Sequence, residues 1–142
     1  MKTFISAKNR FNLTFFWILV LLLTVTLFIP KKETESSIYI FYAIIIPIIA
    51  SLIWILLDTK YVLKQNQLYY YSGPFRGKIE IDKIRKIKNH SGWIVPVTMK
   101  PGLDINGLIV YYNQFDDIYI SPKEKKEFLE ALLRINPKIE IT

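Results

Sequence analysis

The sequence predicts an α+β protein in which two N-terminal membrane-spanning helices precede a small domain of antiparallel strands closed by a C-terminal helix. Three observations support this fold class: two long uncharged runs in the first third of the chain, several short β-rich runs after them, and an amphipathic segment near the end. A chain of 142 residues that is 51% hydrophobic is too apolar to be disordered. With no cysteine and one histidine, the composition excludes a disulfide scaffold and argues against a zinc site.

The two uncharged runs are long enough to cross a bilayer. The first covers residues 13–29 and the second covers residues 38–57. At about 1.5 Å per residue they measure roughly 26 and 30 Å, and the hydrocarbon core is about 30 Å thick. The first run ends at Pro30 without the small residues of a cleavage site, so we interpret the pair as an uncleaved hairpin with residues 30–37 as its external loop. The alternative, two buried helices of a soluble core, would need more chain to cover them.

The positions of lysine and arginine near the spans predict the orientation of the hairpin. The N-terminal basic tail, residues 1–12, carries three of them, and Lys60 and Lys64 follow the second span. The external loop carries two, Lys31 and Lys32. Because cytoplasmic segments hold the excess of basic residues, we expect both termini on the cytoplasmic side of the membrane.

Residues 58–142 are predicted to form a strand-rich cytoplasmic domain. β-Rich runs flank turn sequences at residues 64–67 and 113–116, which indicates two hairpins. Residues 78–82 alternate between polar and apolar types, as a half-buried strand does. The spacing of the isoleucines that follow indicates a twist or bulge before the next strand.

The last predicted element is an amphipathic helix. Ser121, Pro122 and Glu124 match the N-cap, the first helical residue and the acidic member of a capping box. An apolar stripe at helical spacing follows, and Asn136-Pro137 ends it. Several antiparallel strands followed by one such helix predict a barrel or bent sheet whose open end the helix covers.

Four short pieces of the domain together match the pattern of a known family: Tyr61-Val62-Leu63 with Leu68; Ser72-Gly73-Pro74-Phe75 with Lys78-Ile79; Ile81-Asp82-Lys83-Ile84 with Ile87; and Ile120-Ser121-Pro122-Lys123 with Phe128, Leu132, Asn136 and Pro137. With them, residues 59–137 resemble the bacterial pleckstrin-homology-like (PH-like) domains of the YyaB type, which often follow one or two membrane spans. The resemblance implies a split antiparallel β-barrel with a C-terminal capping helix. It implies no chemistry, because this family has no settled activity. Residues 89–106 depart from the pattern, so their structure is not predicted.

A basic segment of the domain is the first candidate contact surface. Six basic residues, offset by two acidic ones, lie close together in the sequence: Arg76, Lys78, Lys83, Arg85, Lys86 and Lys88. Beside the cytoplasmic leaflet they could attract anionic lipid headgroups, at about 1 kcal/mol for each residue near the surface. The alternatives are a solvated strand face without a ligand and a specific headgroup pocket.

An apolar run in the unpredicted segment is the second candidate. Trp93, Ile94, Val95 and Val97 stand among otherwise polar residues. Such a run could dip into the membrane or bind a protein partner. Alternatively, it is a buried strand or a loop that fills the core.

No motif of the chain predicts catalysis, a cofactor or a metal site. Gly73 and Gly77 are separated by three residues rather than four, and Ile79 replaces the Ser or Thr of a phosphate-binding loop. The single histidine, His90, has no second histidine or cysteine to act with. Despite the net charge of +7, the membrane tether and the lack of an arginine-rich groove argue against nucleic acid.

We therefore expect a non-catalytic binding or scaffolding module, anchored as a multi-pass protein at the inner face of a bacterial plasma membrane. The expected partners are the bilayer, anionic lipid headgroups and another membrane protein. Immunity to a peptide toxin (a bacteriocin) is one concrete role for a small protein of this architecture. The alternative is an accessory subunit of a membrane transport or envelope complex, whose helices bind and whose domain is structural.

Overall fold

Two long apolar helices dominate the first third of the computed structural model, which describes residues 1–30 and 35–142. Helix α1 spans Arg10–Phe28 and helix α2 spans Glu35–Asp58. Both are long and apolar enough to cross a membrane, with mean hydropathies of 2.2 and 2.7, and only 6% of each segment is buried in protein. The prediction of two membrane-spanning helices is confirmed. Of the expected external loop, residues 31–34 lie outside the described residues, and residues 35–37 belong to α2 rather than to the loop.

A short strand precedes the helices. Strand β1, Lys2–Ile5, pairs antiparallel with β2, Lys60–Lys64, which directly follows α2. Phe4 lies opposite Tyr61 in this pairing, and both side chains are buried. The expected basic tail thus contains a strand of the domain. The chain enters the domain before it enters the membrane, and the helical hairpin is an insertion between two neighbouring strands.

The domain contains two four-stranded sheets. The first has the order β1-β2-β3-β4 and is antiparallel throughout. The second has the order β7-β6-β5-β8, with β8 parallel to β5. A 3₁₀ turn, Ile81–Lys83, joins the sheets. The remaining strands are β3 (Gln67–Ser72), β4 (Phe75–Glu80), β5 (Ile84–Ser91), β6 (Asn106–Tyr112), β7 (Asp116–Ile120) and β8 (Glu140–Ile141).

This architecture, two four-stranded sheets and a C-terminal helix around one core, confirms the predicted fold class. Both predicted hairpins are present, because β2 pairs with β3 and β6 pairs with β7. The expected irregularity falls between Ile84 and Lys86, where the register of β5 shifts. Helix α3, Lys125–Ile135, covers the core with Phe128 and Leu132, which are fully buried.

The start of α3 differs from the prediction. Ser121 is not its N-cap, because the helix begins at Lys125 and Glu124 holds the cap position without a side-chain hydrogen bond. Ser121 is instead fully buried, and its hydroxyl lies 3.0 Å from the hydroxyl of Ser6 and accepts the N–H of Leu103 at 3.0 Å. These tertiary hydrogen bonds compete with the local capping box and replace it.

The strand directions define a membrane-proximal end and a distal end of the domain. Strand β1 ends, and β2 begins, next to the helices, and the β3–β4 turn at Gly73 packs against Ile55 of α2. Strand β5 runs toward the same end, where Trp93 contacts Phe11 of α1. The 3₁₀ turn and the β6–β7 turn lie at the opposite, distal end.

Candidate functional site at the membrane-proximal end

Buried polar groups fasten the two inner ends of the hairpin to the sheet. The N–H of Ser6 donates to the carbonyl of Thr59 at 3.1 Å, which joins the segment before α1 to the segment after α2. The hydroxyl of Thr59 donates to the carbonyl of Ile55 at 2.6 Å and lies 3.2 Å from the hydroxyl of Ser72. Because these groups are buried, breaking one bond leaves a partner unsatisfied. The hairpin and the domain are therefore joined without a flexible linker at this end.

Tyr61 connects the two sheets beneath this junction. Its hydroxyl accepts the N–H of Ser121 at 3.0 Å, and its ring is completely buried. Burial raises the pKa of Tyr61, so it remains a neutral phenol. The carbonyl of Ser121 in turn accepts the N–H of Ala7 at 2.6 Å, just before α1. The start of the hairpin is thus held against both sheets.

Arg76 is the one member of the predicted basic segment that lies beside a membrane helix. Its guanidinium is 3.3 Å from the carboxylate of Asp58, the last residue of α2, and 5.0 Å from the ring centroid of Trp54. Its Nε donates to the carbonyl of Gly73 at 3.1 Å. Lys60 binds the other oxygen of Asp58 at 2.6 Å. This cluster fixes the end of α2 to β2 and β4.

The other five residues of the basic segment are spread over two sheets. Lys78 is exposed on β4, and Lys83 lies in the 3₁₀ turn at the distal end. Arg85, Lys86 and Lys88 are on β5 of the second sheet, where they line a shallow groove with Tyr111 and Glu140. Several have local partners: Lys83 pairs with Glu80 at 3.0 Å, Arg85 donates to the carbonyl of Gln114 at 2.8 Å, and Lys86 pairs with Glu140 at 3.4 Å. The six residues do not gather into one patch.

The predicted apolar run divides between surface and core. Val95 is buried against Ile109 and Tyr119, and Val97 packs on the same cluster. Trp93 and Ile94 are 62% and 85% exposed. The Trp93 ring meets the Phe11 ring edge-on, with centroids 4.7 Å apart, at the first turn of α1. Phe11, Trp93 and Ile94 together form an apolar tip on the membrane-proximal end.

Three further basic residues lie at this end. Lys8 is bridged through its backbone to Leu103, Arg10 begins α1, and Lys100 follows the apolar tip in the β5–β6 connection. None of the three forms an ion pair within the described part of the chain. In the sequence analysis, Lys8 and Arg10 contributed only to the predicted orientation of the hairpin in the membrane. Lys100 lies in the segment whose structure was not predicted, so no sequence signal pointed to it.

The polar residues considered for catalysis have structural surroundings. His90 lies in β5, and its ring packs edge-on against Tyr119 with centroids 5.9 Å apart. Burial raises the pKa of Tyr119, whose hydroxyl donates to the carbonyl of Asp104 at 2.7 Å. Among residues 1–30 and 35–142, no three His, Cys, Asp or Glu side chains group to hold a metal. The membrane-proximal end is therefore the site with the most distinctive chemistry.

Comparison with known families agrees with this architecture. The model of the bacterial PH domain matches residues 59–136, which is more than half of the chain and runs from the start of β2 to the end of α3. The match begins after the hairpin and so leaves out β1. Searches of curated proteins and of solved structures gave no match. PH domains are in general non-catalytic binding modules, and this chain belongs to the bacterial PH domain family.

Proposed function

We propose that the protein is a non-catalytic binding module whose membrane-proximal end rests on the cytoplasmic leaflet of a bacterial plasma membrane. The observation that carries this proposal is the insertion of the hairpin between β1 and β2. Both helices continue into paired strands, so the domain has no long linker on which to move away from the bilayer. The same end carries exposed aromatic and basic side chains, which favour the interface and anionic lipids.

The cytoplasmic orientation is supported by the basic residues around the helices. Lys8 precedes α1, Arg10 begins it, and Lys60 follows α2. In the sequence, two lysines stand between the two apolar runs, Lys31 and Lys32. With β1 paired to β2, the N-terminus and the domain lie on one side of the membrane. The basic residues close to the two helix ends on that side are then counted together, and their excess over the two lysines between the runs favours the cytoplasm.

The position of the domain can be tested with single-cysteine variants, because the chain has no cysteine of its own. Ile94 and Phe115 are a matched pair, at 85% and 87% exposure, in loops at the proximal and distal ends. Ile94→Cys and Phe115→Cys would each be labelled with a fluorophore in full-length protein in nanodiscs and quenched by spin-labelled lipids. We expect strong quenching at residue 94 and weak quenching at residue 115. Equal quenching at the two positions would contradict the proposal.

Arg85 and Lys86, in the distal half of β5, are proposed to face a protein partner rather than the leaflet. Arg85 is six residues before Ser91, the last residue of β5, which places it roughly 20 Å from the proximal end. That distance is about twice the Debye length of roughly 8–10 Å near physiological salt, so lipid charges are largely screened there. Reversing Arg85 and Lys86 to Glu should leave the quenching at residue 94 unchanged. A loss of quenching would show that these residues contact the leaflet after all.

Within this proposal we further propose that the domain is of the YyaB-like type, and that the protein serves in immunity to a peptide toxin or, alternatively, as an accessory subunit. For immunity, producing the protein should raise survival of cells exposed to the peptide toxin, and reversal of Arg85, Lys86 and Lys88 should remove the protection. For an accessory subunit, a transport or envelope complex should copurify through α1 and α2 and keep its activity after the same reversals. The outcome of one triple variant in both assays separates the two roles.

A further inference from the structure

A cavity of about 450 Å³ opens where the hairpin meets the domain. Asn12 and Phe16 of α1 and Ile55 of α2 line one side. The other side is lined by Phe75, the first residue of β4, and by the loop of residues 98–103. This volume falls within the range of about 300–1,000 Å³ that is usual for small-ligand pockets. The cavity thus uses all three parts of the molecule: both membrane helices, the first sheet and the β5–β6 connection.

The cavity lies at the depth where a bilayer changes from headgroups to acyl chains. Asn12 is two residues, and Phe16 six residues, inside α1, or about 3 and 9 Å along the axis. Ile55 is three residues before the end of α2, or about 4–5 Å. The apolar wall is therefore on the hydrocarbon side, and the loop that carries Lys100 is on the aqueous side.

One loop supplies the polar side of the cavity and is fixed in place. The amide of Asn12 donates to the carbonyl of Leu103 at 3.0 Å, which ties the loop to α1. The N–H of Gly102 donates to the carbonyl of Tyr119 at 3.1 Å, which ties it to β7. Lys100 lies in the loop between the end of β5 and these two attachments, and its side chain is exposed. It has no ion-pair partner among the described residues. The cavity thus combines an apolar wall with one unpaired cation.

We propose that this cavity binds one anionic phospholipid of the surrounding leaflet, with its phosphate beside Lys100 and the start of an acyl chain between Phe16 and Ile55. A free phosphate would leave the apolar wall uncovered, and a neutral lipid would leave the cation without a net negative partner. Only an amphipathic anion matches both sides of the cavity. This inference rests on the proposed function, because it needs the membrane-proximal end to meet the leaflet.

The test uses full-length protein in detergent micelles and native mass spectrometry of bound lipid. The probes are phosphatidylglycerol, phosphatidylcholine and the water-soluble sn-glycerol 3-phosphate. We expect phosphatidylglycerol to bind about fivefold more tightly than phosphatidylcholine, the effect of one nearby cation on an anionic lipid. Lys100→Gln should remove that preference. The control Lys64→Gln, which neutralises an exposed lysine at the distal end of β2, should preserve it.

A second variant tests the cavity volume without changing its charge. Thr98 lines the cavity with an exposed side chain, and Thr98→Trp should fill the space and weaken binding of both lipids. The inference is overturned if the wild type does not distinguish the lipids, if Lys100→Gln behaves like Lys64→Gln, or if sn-glycerol 3-phosphate binds as tightly as phosphatidylglycerol. Strong quenching at residue 94 together with any of these results would reject the lipid site alone. Equal quenching at residues 94 and 115 would reject the proposed function itself.

Discussion

Phe4 is the residue through which β1 contributes most to the core, and its removal should destabilise the whole domain. Its side chain is 2% exposed, and its ring meets Phe128 of α3 edge-on with centroids 5.1 Å apart. Truncating a buried phenylalanine to alanine costs about 3–5 kcal/mol, part of it from the lost aromatic pair. The neighbouring Ile5 is 63% exposed, so Ile5→Ala should change stability by about 0.5 kcal/mol or less.

The assay is urea-dependent pulse proteolysis of full-length protein in nanodiscs, which reports unfolding of the domain while the helices stay in the bilayer. With a urea dependence of about 2 kcal/mol per molar, a loss of about 4 kcal/mol lowers the unfolding midpoint by about 2 M. Ile5→Ala serves as the control on the same strand. Equal midpoints for Phe4→Ala and Ile5→Ala would refute the conclusion that β1 belongs to the folded domain.

Three further predictions concern the junction and the N-terminal strand. Tyr61→Phe leaves the buried N–H of Ser121 without its acceptor, so the same assay should show a loss of about 1–3 kcal/mol; an unchanged midpoint would exclude this hydrogen bond as a stabilising contact. Gly73→Ala forces an alanine to φ +57° with its Cβ 2.7 Å from a side chain of α2, so it should cost about 1 kcal/mol or more, and a neutral result would mean that the turn does not pack on the helix. The ion pair with Lys2 holds the pKa of Glu127 below its ordinary value of 4.5. The pair therefore stabilises the fold above pH 4.5. This contribution is lost as the pH falls through the lowered pKa of Glu127. Carbon-13 NMR titration should show a higher pKa for Glu127 in Lys2→Gln than in the wild type, and an identical pKa would disprove the pairing.

The parts of the fold that local patterns predict are the parts that form through local contacts. Charge-free runs identify α1 and α2 because a bilayer span needs length and apolarity and little else. The β2–β3 and β6–β7 hairpins follow from turn sequences between β-rich runs. Strand β1 was not predicted. Of its four residues only Phe4 is buried, and its partner β2 follows the whole hairpin in the sequence. A pairing that distant leaves no periodic signal in the sequence.

The start of α3 shows how a tertiary contact can override a local motif. The sequence around Ser121 has the spacing of a capping box, and the helix still begins four residues later. The Ser121 hydroxyl is used by Ser6 and by the N–H of Leu103, which lie 115 and 18 residues away in the chain. The sequence motif is the same whether Ser121 caps the helix or makes tertiary hydrogen bonds. Only the packed structure distinguishes these two arrangements.

The candidate site could be predicted only in part for a similar reason. Six basic residues were predicted to form one surface because they lie close together in the sequence. The chain turns at Ile81–Lys83, and this turn places Arg85, Lys86 and Lys88 in the other sheet. The apolar run was recognised by its composition, but which of its side chains face outward depends on Val95 packing against the second sheet. The junction residues come from segments on both sides of the hairpin, so only the pairing of β1 with β2 brings them together.

The most direct test of the central claim, that the hairpin is inserted into the sheet, is a disulfide across β1 and β2 in full-length protein in membranes. Thr3 and Val62 are direct partners in this pairing, and antiparallel partners lie about 4.5–5.5 Å apart, within reach of a disulfide. Tyr69 is the partner of Val62 on the next strand, about 9–10 Å from Thr3 and out of reach. We predict that Thr3→Cys with Val62→Cys crosslinks on oxidation and that Thr3→Cys with Tyr69→Cys does not. No crosslink in the first pair, or equal crosslinking in both, would contradict the insertion of the membrane hairpin into the PH-like sheet.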